Sequence, residues 1–474
     1  MNSYHNFIAS KQRKSLAIGF AYIPERIPTA AFDWQRAVIR WSVSRGRAAL
    51  FEECGLGKTL QQLAWADQVA HKTQRPVILH CPVGVRQQTI QEAVKFGIQT
   101  RMIMCDSDAD VPSGPAICVT NYEKLHKLDT GKFTGVVLDE SSILKSFTGA
   151  TKRNLIAAYR DTPYRLACTA TPAPNDYMEL GNHAEFLGVM PSNEMLSRWF
   201  INDTMKAGGY RLKGHAAEDF WLWMSSWAMC LTKPSDLGDQ YVDDGYTLPP
   251  LNRHDVIVDV ADEPSSQAGT LFNNHNLNAT TIHSVKRAST QARAEKVAQL
   301  IASDTGNSPW IVWCATNYEA DALVACISAV DASVVEVRGS QSESSKEQSL
   351  AKFSRGDARV IVTKPDIAGF GMNWQHCCNV AFVGLSYSFE KFYQAVRRSW
   401  RFGQTHPVNV YVVSTDIEYS INATVNSKEQ EHQAMFSSMA DAMRCHQQNI
   451  VSGDMVREKY IPQERMEIPA WMAS

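Results

Sequence analysis

Three groups of residues in this 474-residue chain carry types and spacings that suit phosphate chemistry. The sharpest is Glu53-Cys54-Gly55-Leu56-Gly57-Lys58-Thr59, after an apolar run ending at Phe51 and before Leu60-Gln61-Gln62-Leu63-Ala64-Trp65-Ala66. The order reads as strand, glycine loop, helix. Small residues let backbone N–H groups curl around phosphates, and a helix N-terminus favours negative charge. Lys58 would reach the β- and γ-phosphates and the Thr59 hydroxyl would ligate Mg²⁺, so ATP and Mg²⁺ are the expected cofactors. The first glycine of the strict G-x-x-x-x-G-K-[ST] pattern would fall at position 52, which is Glu. On its own, the loop competes with an ordinary turn that carries Gly-Lys-Thr.

It does not stand on its own. Gly135-Val136-Val137-Leu138-Asp139-Glu140 places two carboxylates at the C-terminal end of an apolar run, the edge where open α/β sheets bind ligands. Asp139 would hold Mg²⁺ and Glu140 would polarise the attacking water. A further run ends in Cys168-Thr169-Ala170-Thr171-Pro172, whose Thr169 and Thr171 can relay hydrogen bonds from the phosphate site. Near the other end of the chain, Arg398 and Arg401 lie three apart, which on a helix gives them one face. Two guanidinium groups aimed across a cleft can stabilise charge on a transferring phosphoryl group. Each of these has a plain structural reading too: a capped helix start, a Thr-Pro turn and a basic helix face.

Parallel sheets with crossover helices would position such groups. Short apolar runs at 48–51, 77–80, 116–120, 136–138 and 165–168 each lead into turn or helix-start residues. A second series follows at 310–314, 334–337, 360–363, 380–383 and 409–413. The expected fold class is α/β, with two parallel-sheet domains in tandem, a helical insertion and a helical C-terminal tail. The expected divisions are an extension over 1–30, a first lobe over 31–175, the insertion over 176–240, a connection over 241–262, a second lobe over 263–425 and the tail over 426–474. The insertion shows no strand signal and holds Trp199, Trp221, Trp223 and Trp227. Rings at that density can stack bases, but filling a helical core is the favoured reading. Met435, Met439 and Met443 in the tail read as core packing.

A net charge of −2 excludes a generally basic surface without excluding nucleic acid, since local fields matter more than the sum. No apolar run approaches membrane-spanning length and Met1–Lys14 lacks an apolar segment, so the expectation is a cytoplasmic chain with no membrane partner. Eleven cysteines without CxxC spacing read as reduced, mostly buried thiols, with no zinc site.

Taken in order, these motifs resemble those of superfamily-two helicases, and within them the Swi/Snf-like ATPases. Gly55 to Thr59 is similar to motif I and Phe32-Asp33-Trp34-Gln35 to the glutamine motif. Cys81-Pro82 is similar to motif Ia, Thr120-Asn121-Tyr122-Glu123 to motif Ib, and Asp139 to Ser146 to the DEAH-type box. Leu166 to Asn175 resembles motif III, 367–373 motif V and Gln394 to Gln404 motif VI, whose Arg401-Phe402-Gly403-Gln404 end favours the Swi/Snf-like side. The resemblance covers about residues 32 to 415.

It implies two RecA-like lobes that close on ATP. Gln35, Gly55, Leu56, Gly57, Lys58 and Thr59 would bind the nucleotide, with Thr59 and Asp139 on the metal. Lys58, Asp139, Glu140, Arg398 and Arg401 would be catalytic, and Thr169, Thr171 and Gln394 would couple the lobes. Thr120, Asn121, Gly369, Gly371 and Asn373 would contact a nucleic-acid backbone. The expected partner is duplex DNA, with single strands or RNA as alternatives, and further proteins could meet the insertion or the tail. The expected activity is a double-stranded DNA translocase. A strand-separating helicase and a non-hydrolysing ATP-switched clamp are the competing readings.

Overall fold

A computed structural model describes residues 17–146, 148–203, 209–258, 286–330, 333–368, 372–386, 388–415 and 418–451. The apolar runs become strands because alternate side chains find cover on both faces, the condition for a parallel sheet. Nine strands belong to the first half: β1 (Arg47–Glu52), β2 (Val77–Cys81), β3 (Met102–Met104), β4 (Ile117–Asn121), β5 (Gly135–Asp139), β6 (Tyr164–Thr169), β7 (Phe200–Asp203), β8 (Gly209–Leu212) and β9 (Ala228–Leu231). All but β7 and β8 form one sheet, in the order β3-β4-β2-β5-β6-β1-β9. Its pairs are all parallel. The second half supplies β10 (Leu251–Ile257), β11 (Trp310–Trp313), β12 (Val334–Val337), β13 (Val360–Thr363), β14 (Asn379–Val383) and β15 (Val408–Ser414). They form a six-stranded parallel sheet in the order β10-β15-β14-β11-β13-β12.

The two lobes are those expected, but the segments around their junction differ from the sequence reading. Residues 176–240 carry the helices Leu180–Leu187, Ser192–Trp199 and Ala217–Ser225, yet also the antiparallel β7–β8 hairpin and the edge strand β9. β9 runs parallel to β1, with Leu50 opposite Met229 and Phe51 opposite Cys230. Four buried residues are too short a run to reveal a strand by periodicity. The segment therefore completes the first sheet instead of standing apart from it. Likewise β10 draws 251–257, expected within the connection, into the second sheet beside β15.

The tryptophans behave as core rings. Trp227 is fully buried and packs edge-on against Phe51 and Trp223, while Trp199 and Trp223 stack at 4.7 Å. Residues 17–30 also belong to the first lobe. Arg26 makes a two-pronged bond to the buried Asp67, and Ile23 exchanges hydrogen bonds with Gln68, both on the helix Lys58–Thr73.

The tail helix Tyr419–Val451 joins the two halves. Ile421 and Val425 enter the second core, whereas Met435, Phe436 and Met439 enter the first. The methionine reading thus holds for Met435 and Met439; the side chain of Met443 lies outside the described residues, as do Gly369 and Gly371.

Candidate nucleotide cleft between two lobes

The phosphate loop follows β1 and ends where the helix Lys58–Thr73 begins. Two glycines make its shape. Gly55 has φ +96° and Gly57 φ +81°, values that side-chain-bearing residues rarely adopt. Space demands glycine as well: a Cβ at 57 would lie 2.4 Å from Gln35 Nε2, and one at 55 would lie 2.9 Å from Phe402 of the second lobe. Leu56 anchors the loop in the core. Gln35, buried, donates from Nε2 to the Leu56 carbonyl (2.9 Å) and accepts from Phe32 N–H (3.0 Å). Glu52 stands where the strict pattern has glycine. It is fully buried, and burial raises its pKa to about 7 against the pull of nearby Lys58 and the Gln61 amide.

Lys58 Nζ donates to the carbonyls of Glu52 (2.7 Å) and Glu53 (3.1 Å), which folds the ammonium over its own loop. Thr59 follows it at the helix start, half-buried. Sheet register then brings the carboxylates alongside. Asp139 ends β5 opposite Cys168 of β6, and Thr169 lies opposite Phe51 of β1. Gln62, one helical turn after Lys58, donates to Asp139 Oδ1 at 2.8 Å. The Tyr122 hydroxyl donates to the Asp139 backbone carbonyl.

Glu140 adopts a left-handed backbone (φ 61°), a sparsely populated conformation for a non-glycine residue and a common mark of functional sites. Burial, then the adjacent Asp139 carboxylate, pushes its pKa up to about 7. Burial also raises that of Asp139. Thr171 N–H donates to Thr169 Oγ1 (3.0 Å), while the buried Thr171 Oγ1 has no hydrogen-bond partner among the described residues.

From the second lobe, Gln394 Nε2 donates to Glu140 Oε1 at 3.3 Å, a hydrogen bond between the lobes. Arg398 and Arg401 do not share a helix face, because the helix Phe389–Val396 ends before either. The chain turns instead through bonds such as Arg398 N–H to the Ala395 carbonyl, and the Arg398 carbonyl is taken by Trp374 N–H. The two guanidinium groups nevertheless converge. Arg398 Nη1 (3.1 Å) and Arg401 Nη1 (3.4 Å) both donate to the Met372 carbonyl. Burial lowers the Arg398 pKa to about 10, which leaves it cationic at neutral pH, within the field of Glu140.

Several cleft residues carried no signal in the sequence. Glu53 of the phosphate loop pairs with Arg397 and accepts from the Tyr393 hydroxyl, both from the second lobe. Burial opposes the charge of Arg397, but Glu53 holds its pKa above the ordinary value. The guanidinium lies 4.3 Å from the Trp400 ring. Lys145 pairs with Glu390 across the same cleft. Gln62 alone could have been found, by its four-residue spacing from Lys58.

The expected nucleic-acid contacts fare less evenly. Thr120 is fully buried, and the buried Asn121 turns its side chain inward to cap Lys124 N–H. Neither side chain faces outward, because both end a strand covered on each side. Asn373 is exposed.

A nucleotide with Mg²⁺ fits this donor set. The glycine cradle, an ammonium, a hydroxyl and paired carboxylates meet at one edge, with two arginines facing them. Two parallel-sheet lobes that bring these groups together have the architecture of superfamily-two ATPases. Residues 34–212 match the SNF2-related domain and residues 292–403 the helicase conserved C-terminal domain. The chain belongs to the Swi/Snf-like branch of that superfamily.

Among curated relatives, the mouse DNA annealing helicase and endonuclease ZRANB3 is 23% identical over 86% of this chain and 41% of its own length. Helicase SWR1 of Candida albicans is 25% identical over 42% of this chain and 13% of its own. The chain therefore spans about two fifths of the first of these relatives. A solved Sulfolobus solfataricus SWI2/SNF2 ATPase core in complex with double-stranded DNA aligns over 92% of this chain and 98% of its own, at 18% identity and a TM-score of 0.42. Among the described residues, no helix is long and apolar enough to cross a membrane.

Proposed function

We propose that the chain is an ATP-driven motor that translocates on double-stranded DNA. One observation supports this most: Gln394 of the second lobe touches Glu140, the candidate base of the first, so nucleotide chemistry and lobe closure share a hydrogen bond. Relatives named for acting on DNA, ZRANB3 among them, support the choice of polymer.

In this reading the loop amides and Lys58 hold the phosphates, and the ammonium exchanges its loop carbonyls for phosphate oxygens. Thr59 and Asp139 would hold Mg²⁺, which would supply positive charge beside the phosphates. Gln62 fixes the Asp139 carboxylate. Glu140 takes a proton from the attacking water, a task suited to a carboxyl with a pKa near the working pH. Arg398 and Arg401 face the charge that develops on the phosphoryl group. Release of the Gln394 contact after hydrolysis lets the lobes part.

DNA would be gripped through backbone amides and polar side chains, which carry little base-sequence information. Asn373 contributes in the second lobe. In the first, the turn Tyr122–Lys127 presents exposed His126 and Lys127 in place of the inward-facing Thr120 and Asn121 side chains.

Steady-state ATPase assays with duplex DNA, single-stranded DNA, RNA or no polymer test the proposal. Strong stimulation by duplex DNA is expected. Preference for single strands or RNA would replace the translocase with a helicase. ATP binding without turnover under every condition would leave only a clamp.

A further inference from the structure

A cavity of about 520 Å³ lies where the phosphate loop, the connection between lobes, the arginine turn and the tail helix meet. Glu53, Cys54 and Leu56 form part of its wall, but Lys58, Thr59, Asp139, Glu140 and Gln35 do not. It thus adjoins the candidate triphosphate site across the phosphate loop without including the lysine, hydroxyl or carboxylates of that site. Its volume falls in the range of small-molecule sites. Much of the lining is aromatic, including Tyr246, Tyr393, Trp400 and Phe402.

Its polar groups are unusual. His432 of the tail helix is 5% exposed, and neither ring nitrogen has a hydrogen-bond partner among the described residues. Buried polar atoms are nearly always satisfied, so an orphaned pair calls for an occupant. Burial holds the His432 pKa down at about 4, so near pH 7 the ring is neutral and offers one donor and one acceptor. The buried Nε of Arg397 is a second unpartnered donor, and Glu429 adds a carboxylate. Charge argues against an anionic occupant. The cations on the wall are engaged, Arg397 with Glu53, Arg444 with Asp236 and Lys233 with Asp243.

We propose that this cavity is a second small-molecule site, for a planar, neutral amino-heterocycle of nucleobase or nucleoside size, with His432 as its hydrogen-bonding anchor. The aromatic wall takes the faces of the ring, His432 takes a donor–acceptor edge, and Glu429 takes the amino group. Because both lobes and the tail helix supply its walls, the occupant binds the arrangement of lobes in this structure and favours it over one in which they part.

The test is titration of the full chain with 2-aminopurine riboside, read by its fluorescence, with and without saturating Mg²⁺ and ADP. Saturable binding that persists with ADP is expected, weakened about tenfold in His432→Phe and several-fold in Glu429→Gln. Thermal midpoints report whether each variant is folded; should His432→Phe unfold, Glu429→Gln carries the comparison. No saturable signal overturns the proposal. So does competition by ADP, which would place the ring in the nucleotide cleft, or undiminished affinity in the folded variants.

Discussion

The two faces of the cleft are built by different means. On the first lobe, the reactive groups sit at the ends of parallel strands, where register alone lines up Asp139 with Cys168 and Thr169 with Phe51. On the second, three arginines within five residues leave a turn and part company. Arg397 crosses to Glu53, while Arg398 and Arg401 stay on the Met372 carbonyl of their own lobe. A strand end dictates direction locally. A turn does not, so which guanidinium meets which partner depends on what the opposite lobe presents.

Substitutions can separate these roles, and the largest effect should come from the second lobe. Arg398→Ala is expected to lower kcat by on the order of 10³, the scale of an arginine that stabilises phosphoryl-transfer charge. Single-turnover kinetics would show it. If Arg397→Ala costs more kcat than Arg398→Ala, the two roles must be exchanged.

Next in size is Glu140→Gln, for which kcat should drop by about 10² while nucleotide binding, followed by a fluorescent ATP analogue, survives. Turnover at the wild-type rate would remove Glu140 from the role of base.

A smaller effect is expected at the cross-lobe pair. Arg397→Glu and Glu53→Arg should each raise KM for ATP roughly tenfold, and the double exchange should restore most of it. Two single effects that simply add would show that the pair does not help close the cleft.

The smallest effect is set by pH. Glu140 must be ionised to accept a proton, so with a pKa of about 7 a change from pH 8 to pH 7 should roughly halve kcat, and Glu140→Gln should abolish that dependence. The same raised pKa has a stability consequence of opposite sense. Its stabilising contribution is complete below the ordinary carboxyl range and is lost as the pH rises through about 7. Denaturant midpoints of wild type and Glu140→Gln should therefore diverge across that window.

Much of the cleft was legible in the chain itself. A glycine loop between strand and helix has few alternatives, and both Gly55 and Gly57 take the backbone values the loop requires. The ten strands expected in the two series all form. What escaped were short or edge elements, β3, β7, β8, β9 and β10, whose three to seven residues lack a periodic signature. The Trp-rich segment is legible as core but not as part of the first sheet, since nothing in Ala228–Leu231 announces a neighbour 179 residues upstream.

The sequence by itself determined the chemistry available and the order in which it occurs, because phosphate loops and strand-end carboxylates are local arrangements of consecutive residues. Only the tertiary structure decided that Arg397 holds Glu53, that Gln62 steadies Asp139, that Thr120 faces inward, and that the tail helix lays Met435 and Met439 on the first lobe. Each of these depends on distant segments packing at ångström range, and charge pairing and burial reveal themselves only once both partners are in place.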